Sequence, residues 1–298
     1  MRIASLVPSA TELLFALGLG PDVVAVTHEC DHPAAAAALP RLTRSMVPPG
    51  LDPAEIDSVV RKRVSAGQSL YALDSHRLER LGAELIVTQQ VCAVCAVSSA
   101  DVRAIASRLP SRPEVISLDP STLAEVLDDA PRLAETAGVA PAGHALRTSL
   151  AARIEAVRAA TAGAAPRRVT ALEWLDPVYC GGHWVPEMIV AAGGVDAIGT
   201  LPGERSRVVG WDELAGSRPD VVVVMPCGLY AVEAEREAVR SRQRLAALGA
   251  SEVFAVDAAS SFSRPGPRLT DGVELLGHLL HPGLVPAPGG LEWRRIEV

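Results

Sequence analysis

Residues 119–138, DPSTLAEVLDDAPRLAETAG, and then 143–163, GHALRTSLAARIEAVRAATAG, decide the fold. Apolar residues at Leu123, Val126, Leu127 and Leu133, and again at Leu146, Leu150, Ile154 and Val157, recur at three- and four-residue spacings. That is the period of an amphipathic helix. Ser121 or Asp119 is placed to cap the first segment, and Gly138 with Pro141 interrupts it. The second segment has room for about 18 helical residues, roughly 27 Å at 1.5 Å per residue. That is about the width of a small domain. The stretch 119–165 therefore reads as a rigid helical connector. It joins an N-terminal α/β lobe, residues 1–118, to a C-terminal α/β lobe, residues 166–298. A single sheet with these helices on one face is the alternative the pattern leaves open.

Outward from the connector, strands alternate with helices. The first lobe reads as a strand over 3–7, a helix over 11–19 capped by Ser9 with Glu12 as its capping-box partner, and a strand over 23–26. Residues 43–50 read as loop and 63–73 are undecided. Helices follow over 52–60, 74–81 and 101–109, and strands over 83–88 and 115–117. The second lobe reads as strands over 169–174, 221–225 and 253–256, with helices over 186–192, 211–215, 232–248 and 269–280. The strands lack in-out polarity, which predicts a mainly parallel sheet in each lobe.

Composition narrows the class. The net charge is −7 and the longest basic run is Arg61-Lys62-Arg63, which excludes a nucleic-acid footprint. No window has the apolar length of a membrane span. The chain starts directly on a strand, with no leader and no lipid-attachment cysteine, so the expected location is the cytoplasm. Five cysteines, an odd number in a reducing compartment, argue against a disulfide framework.

In parallel sheets, ligands bind beyond the carboxyl ends of the strands. All five cysteines fall in such exits: Cys30, Cys92, Cys95, Cys180 and Cys227. So do His28, His32 and His183. Packing alone would send free cysteines to the core. Cys30, Cys92, Cys95 and Cys180 with His28 and His183 are therefore candidate ligands of a soft metal, zinc or an iron–sulfur cluster. A thiol-lined pocket without metal is the other reading of the same residues. Trp174, Tyr179 and Trp184 lie within eleven residues of one another in a chain with only 3% aromatics. They suggest a stacking wall for a planar ligand. Gly181-Gly182 would let the backbone approach closely. Ser260–Arg268 adds Phe262, and adds Arg264 and Arg268 as candidates for a carboxylate or phosphate. Ser9 and Thr11 stand at a helix N-terminus, which favours anions.

RIASLVPSATELLFALGLGPDVVAVTHECDHP, LEWLDPVYCGGHWVPEMIVAAGGVD and RPDVVVVMPCG resemble the class III (TroA-like) periplasmic-binding-protein family, in its vitamin B12- and iron-siderophore-binding branch. The likeness spans nearly the whole chain. It implies two α/β lobes on one backbone helix with a ligand cleft between them. It also implies a corrin held by aromatic contacts, with Trp174 and Trp184 as the nearest candidates. Family members are exported and dock a permease through one acidic residue on each lobe; His76, with Glu79 near it, and Asp212 stand at those places here.

The leading reading is a non-catalytic, cytoplasmic binder of a cobalamin-like corrinoid or related planar cofactor. The alternatives are a cleft metalloprotein or thiol enzyme using the Cys/His set, and the substrate-binding subunit of an ABC uptake system.

Overall fold

The computed structural model describes residues 1–90 and 99–298. The chain forms two compact units. One is Met1–Pro120 with Val126–Thr148, and the other is Ser121–Glu125 with Ser149–Val298. In chain order the first contains β1 (Ile3–Ser5), α1 (Pro8–Ala16), β2 (Val23–Ala25), β3 (Thr43–Ser45), α2 (Pro53–Ser65), β4 (Tyr71–Leu73), α3 (Ser75–Leu81), β5 (Leu85–Thr88), α4 (Ser99–Ala106) and β6 (Glu114–Ser117). Next come α5 (Leu123–Thr136) and the long α6 (Ala140–Thr161). The remainder is β7 (Arg167–Leu175), β8 (Val178–Cys180), α7 (Val185–Ala191), β9 (Gly194–Asp196), α8 (Trp211–Gly216), β10 (Val221–Val224), α9 (Ala231–Arg240), α10 (Arg242–Ala246), β11 (Glu252–Val256), α11 (Ala258–Ser261), α12 (Leu269–Leu280) and β12 (Trp293–Arg295). This is the α/β architecture of two sheet-bearing lobes joined by a long backbone helix.

In the first unit the described strands order β2-β1-β5-β6, all parallel. One face of this sheet, with Ile3 and Val87, packs on Leu14 of α1 and Leu133 of α5. The other, with Ala4 and Ile86, packs on Leu78 of α3 and Val102 of α4. Leu14, Leu78 and Leu133 are fully buried, and each such side chain contributes about 1.5–3 kcal/mol. In the second unit the order is β12-β11-β10-β7-β8, with β9 beside β7. β10 is parallel to β7 and β11, β9 is parallel to β7, and β8 and β12 run antiparallel to their neighbours. Valines of β10 are wholly buried, and Val222 and Val224 share a core with Ala234 and Ala238 of α9 and Leu245 of α10. Among the described residues no helix is long and apolar enough to cross a membrane.

Several local readings change. α1 opens at Pro8 rather than Thr11, because proline is pre-set for the first helical position. Val7 is its N-cap without a side-chain bond, so Ser9 and Glu12 do not form a capping box. The capping box is found on α2 instead, between Asp52 and Glu55. Thr43–Ser45, expected as loop, pairs antiparallel with Tyr71–Leu73 from the undecided stretch. Pro141 does not interrupt a helix but sits in the first turn of α6. The predicted helix 232–248 is divided at Ser241 into α9 and α10.

Candidate ligand-binding site

In the second unit β7 outruns its neighbour. Val224, the last residue of β10, stands opposite Leu172, so Glu173, Trp174 and Leu175 extend past β10. β8 folds back on this overhang through a turn with a cis Asp176–Pro177 bond, placing Tyr179 opposite Trp174. Both aromatics are half-buried, and the Trp174 indole N–H donates to the Asp176 carbonyl at 3.0 Å. Residues 203–209 then lie along this hairpin: Cys180 N–H donates to Arg207 O, and Val209 N–H to Val178 O. Gly182 makes that approach possible, since a Cβ there would stand 2.2 Å from the Ser206 nitrogen. The Glu173 carboxylate fastens the two segments. It accepts from Gly182 N–H at 3.1 Å and from the Ser206 hydroxyl.

His183 follows in the left-handed region, φ 52°, with its carbonyl accepting from Gly203 N–H at 3.0 Å. Its imidazole is half-buried. Burial first, and the charge of Arg205 second, hold its pKa below the ordinary 6.5. A neutral imidazole at neutral pH can act as a nitrogen ligand.

Trp184 is placed differently. It is buried, and its indole N–H donates to the Phe262 carbonyl at 2.8 Å, with Phe262 itself 2% exposed. Both are core side chains of the second unit rather than an open wall. Arg264 and Arg268 are half-buried just ahead of α12, and each is engaged in a polar or electrostatic contact.

In the first unit a second group gathers where β2 ends beside the β3–β4 pair. His28 Nδ1 lies 2.7 Å from Thr43 Oγ1, and its ring is 5.5 Å from that of Tyr71. The Tyr71 hydroxyl donates to Glu29 Oε1 at 3.1 Å. His28, Glu29 and Tyr71 are all half-buried. Sequence reasoning singled out His28 but missed Tyr71 and Thr43. Their segments have no readable period, and only pairing across β3 and β4 brings them beside His28.

Ser9 is buried in the first turn of α1. Thr11 is fully buried and donates to Ser5 Oγ at 2.8 Å. Cys30, 1% exposed, has Thr11 Oγ1 at 3.0 Å and Thr27 Oγ1 at 3.1 Å and belongs to the core of the first unit. Cys180 belongs to the core of the second, with Thr200 Oγ1 at 3.8 Å. Cys92 and Cys95 lie outside the described residues. Among the described residues no three His, Cys, Asp or Glu side chains gather as a metal site. Cys30 and Cys180 thus behave as small buried hydrophobes with hydroxyl neighbours, and the described donor set does not fit the zinc or iron–sulfur centre expected from the cysteine spacing. Cys227, after β10, is exposed.

This architecture is the fold of the class III (TroA-like) periplasmic-binding proteins. Among similar solved structures, the periplasmic vitamin B12 binding protein BtuF of Vibrio cholerae is 22% identical, covers 94% of this chain and 96% of its own, and has a TM-score of 0.67. A periplasmic heme binding protein from Pseudomonas aeruginosa is 18% identical over 100% of this chain and 98% of its own, TM-score 0.72. The periplasmic heme binding protein HutB of Vibrio cholerae is 18% identical over 95% and 99%, TM-score 0.69. At these identities the likeness establishes the fold. No protein-family model matches the sequence, and no curated protein sequence matches it. The expectation of a cytoplasmic protein is overturned here: the similar structures are periplasmic proteins, and a first residue lying close to a strand does not decide location.

Proposed function

We propose that the chain is a periplasmic substrate-binding protein for a tetrapyrrole, a corrinoid or a heme, and serves an ABC permease. The observation that carries the reading is that each unit has half-buried aromatic and imidazole side chains beside the carboxyl end of a parallel strand: Trp174 of β7 with Tyr179 and His183 in the second unit, and His28 just past β2 with Tyr71 of β4 in the first. Such ends are where open parallel sheets take ligands, and aromatic faces suit a planar macrocycle. The solved proteins of this fold named for vitamin B12 and for heme support the ligand class.

Within that class, one observation favours heme. Tyr71 is half-buried beside His28 with its hydroxyl donating to Glu29, and tyrosine is a known ligand of haem iron. His28 has one ring nitrogen on Thr43 and no partner at the other among the described residues.

The test is titration of the purified protein with aquocobalamin and, separately, with hemin, followed by the corrin or Soret band and by tryptophan fluorescence. Saturable binding of one of them is expected, weakened about tenfold in Trp174→Ala through loss of aromatic contact. If hemin is the ligand, Tyr71→Phe shifts the Soret band. Flat titrations with both at high micromolar concentration would overturn the proposal.

A further inference from the structure

We propose that the open hollow between α4 and β6, in the first unit, is a binding site for a compact oxyanion, a phosphate or a carboxylate. Its volume is about 450 Å³, and Arg103, Ala106, Ser107, Arg112, Pro113 and Val115 line it. The placement follows from the chain. Arg103 lies in the last turn of α4, and Ser107 directly follows the helix, its N–H donating to the Arg103 carbonyl at 3.0 Å. A turn closed by Arg112 N–H on Leu109 O at 3.0 Å brings Arg112 back beside them. Buried Ala106 and Pro113 with half-buried Val115 make an apolar floor.

Two of the six lining side chains are guanidinium donors, and the Ser107 hydroxyl donates to the Ala104 carbonyl at 3.0 Å. The Arg103 guanidinium reaches only the Val115 carbonyl, at a long 3.4 Å. Among the described residues no carboxylate pairs with Arg103 or Arg112, whereas Arg147, Arg153, Arg167, Arg207 and Arg240 each hold an acidic partner at 2.6 Å. The nearest acids in sequence are turned elsewhere. Val115 faces the hollow, so Glu114 points to the opposite face of β6 by strand alternation. Asp101 is two residues from Arg103 on α4, roughly 200° around the helix. Two forked cations with no acidic partner among the described residues, set around an apolar floor, call for an acceptor-only planar or tetrahedral anion, which guanidinium groups bind in a bidentate manner.

This site is independent of the tetrapyrrole reading. The test is calorimetric titration of the full chain at low salt with inorganic phosphate and, in a separate arm, with acetate. Saturable binding in at least one arm is expected, weakened about tenfold or more in Arg103→Gln/Arg112→Gln by loss of the charge-assisted bonds. Arg108→Gln, which alters an exposed arginine outside the lining, leaves the isotherm unchanged. No saturation in either arm, equal binding by the double variant, or an equal loss in Arg108→Gln would overturn the proposal, the last by reducing it to general surface charge.

Discussion

Gly182 is fixed by its neighbour rather than by its own backbone angle. With the Ser206 nitrogen 2.2 Å from where a Cβ would stand, Gly182→Ala must push residues 204–206 off the hairpin. Denaturant unfolding is expected to show a loss of about 3 kcal/mol, at the upper end for overpacking. The Ser261 hydroxyl is the opposite case, fully buried with no hydrogen-bond partner among the described residues. Ser261→Ala removes an unsatisfied group at little change of shape, so it should be neutral or stabilising by about 1 kcal/mol. His183 gives the pH dependence. Its folded pKa lies below 6.5, so as pH falls through 6.5 the unfolded chain takes up the proton first and stability declines. Above 6.5 both states are neutral and the effect vanishes. His183→Gln should remove that acid-side slope in unfolding midpoints compared from about pH 7.5 to about pH 5. A midpoint in the native chain that rises on acidification through this window would contradict the assignment.

At the scale of elements, the strong periodicities were readable and the short pairings were not. α5 and α6 are visible from Leu123 to Val157 because each buries a stripe at helical spacing. β3, β4 and β8 are three residues each, too short for any alternation to register, and each exists only because a partner strand is alongside. Two element-scale outcomes follow. Asp52→Ala removes a capping box from α2, a helix with no fully buried residue, and should cost about 1 kcal/mol in thermal or denaturant unfolding. Gly143 sits where α6 meets α5, and a Cβ there would lie 2.4 Å from Ala134 Cβ and 2.7 Å from the Ala130 carbonyl. Gly143→Ala should cost about 2 kcal/mol by forcing the two helices apart, and an unchanged unfolding midpoint would show that the contact yields freely.

For the whole molecule, ligand binding and stability are linked. A tetrapyrrole present at a hundredfold excess over its Kd should add about 2.7 kcal/mol to unfolding, readable as a raised melting temperature. A ligand that saturates the spectrum without moving the melt would be binding folded and unfolded chain alike.

The two-lobed α/β architecture and its helical connector were legible in the amino-acid sequence alone, since helix period, apolar strand runs and Gly/Pro punctuation are local properties of a chain. Of the cysteines expected in strand exits, Cys30 and Cys227 follow β2 and β10, whereas Cys180 lies within β8. What tertiary structure decided is which side chains face inward. Cys30 is enclosed by Thr11 and Thr27. Trp184 is anchored to Phe262 from 78 residues away. Tyr71 reaches Glu29 across 42. Burial and hydrogen-bond partnership depend on atoms brought together by folding, and spacing along the chain carries no record of them.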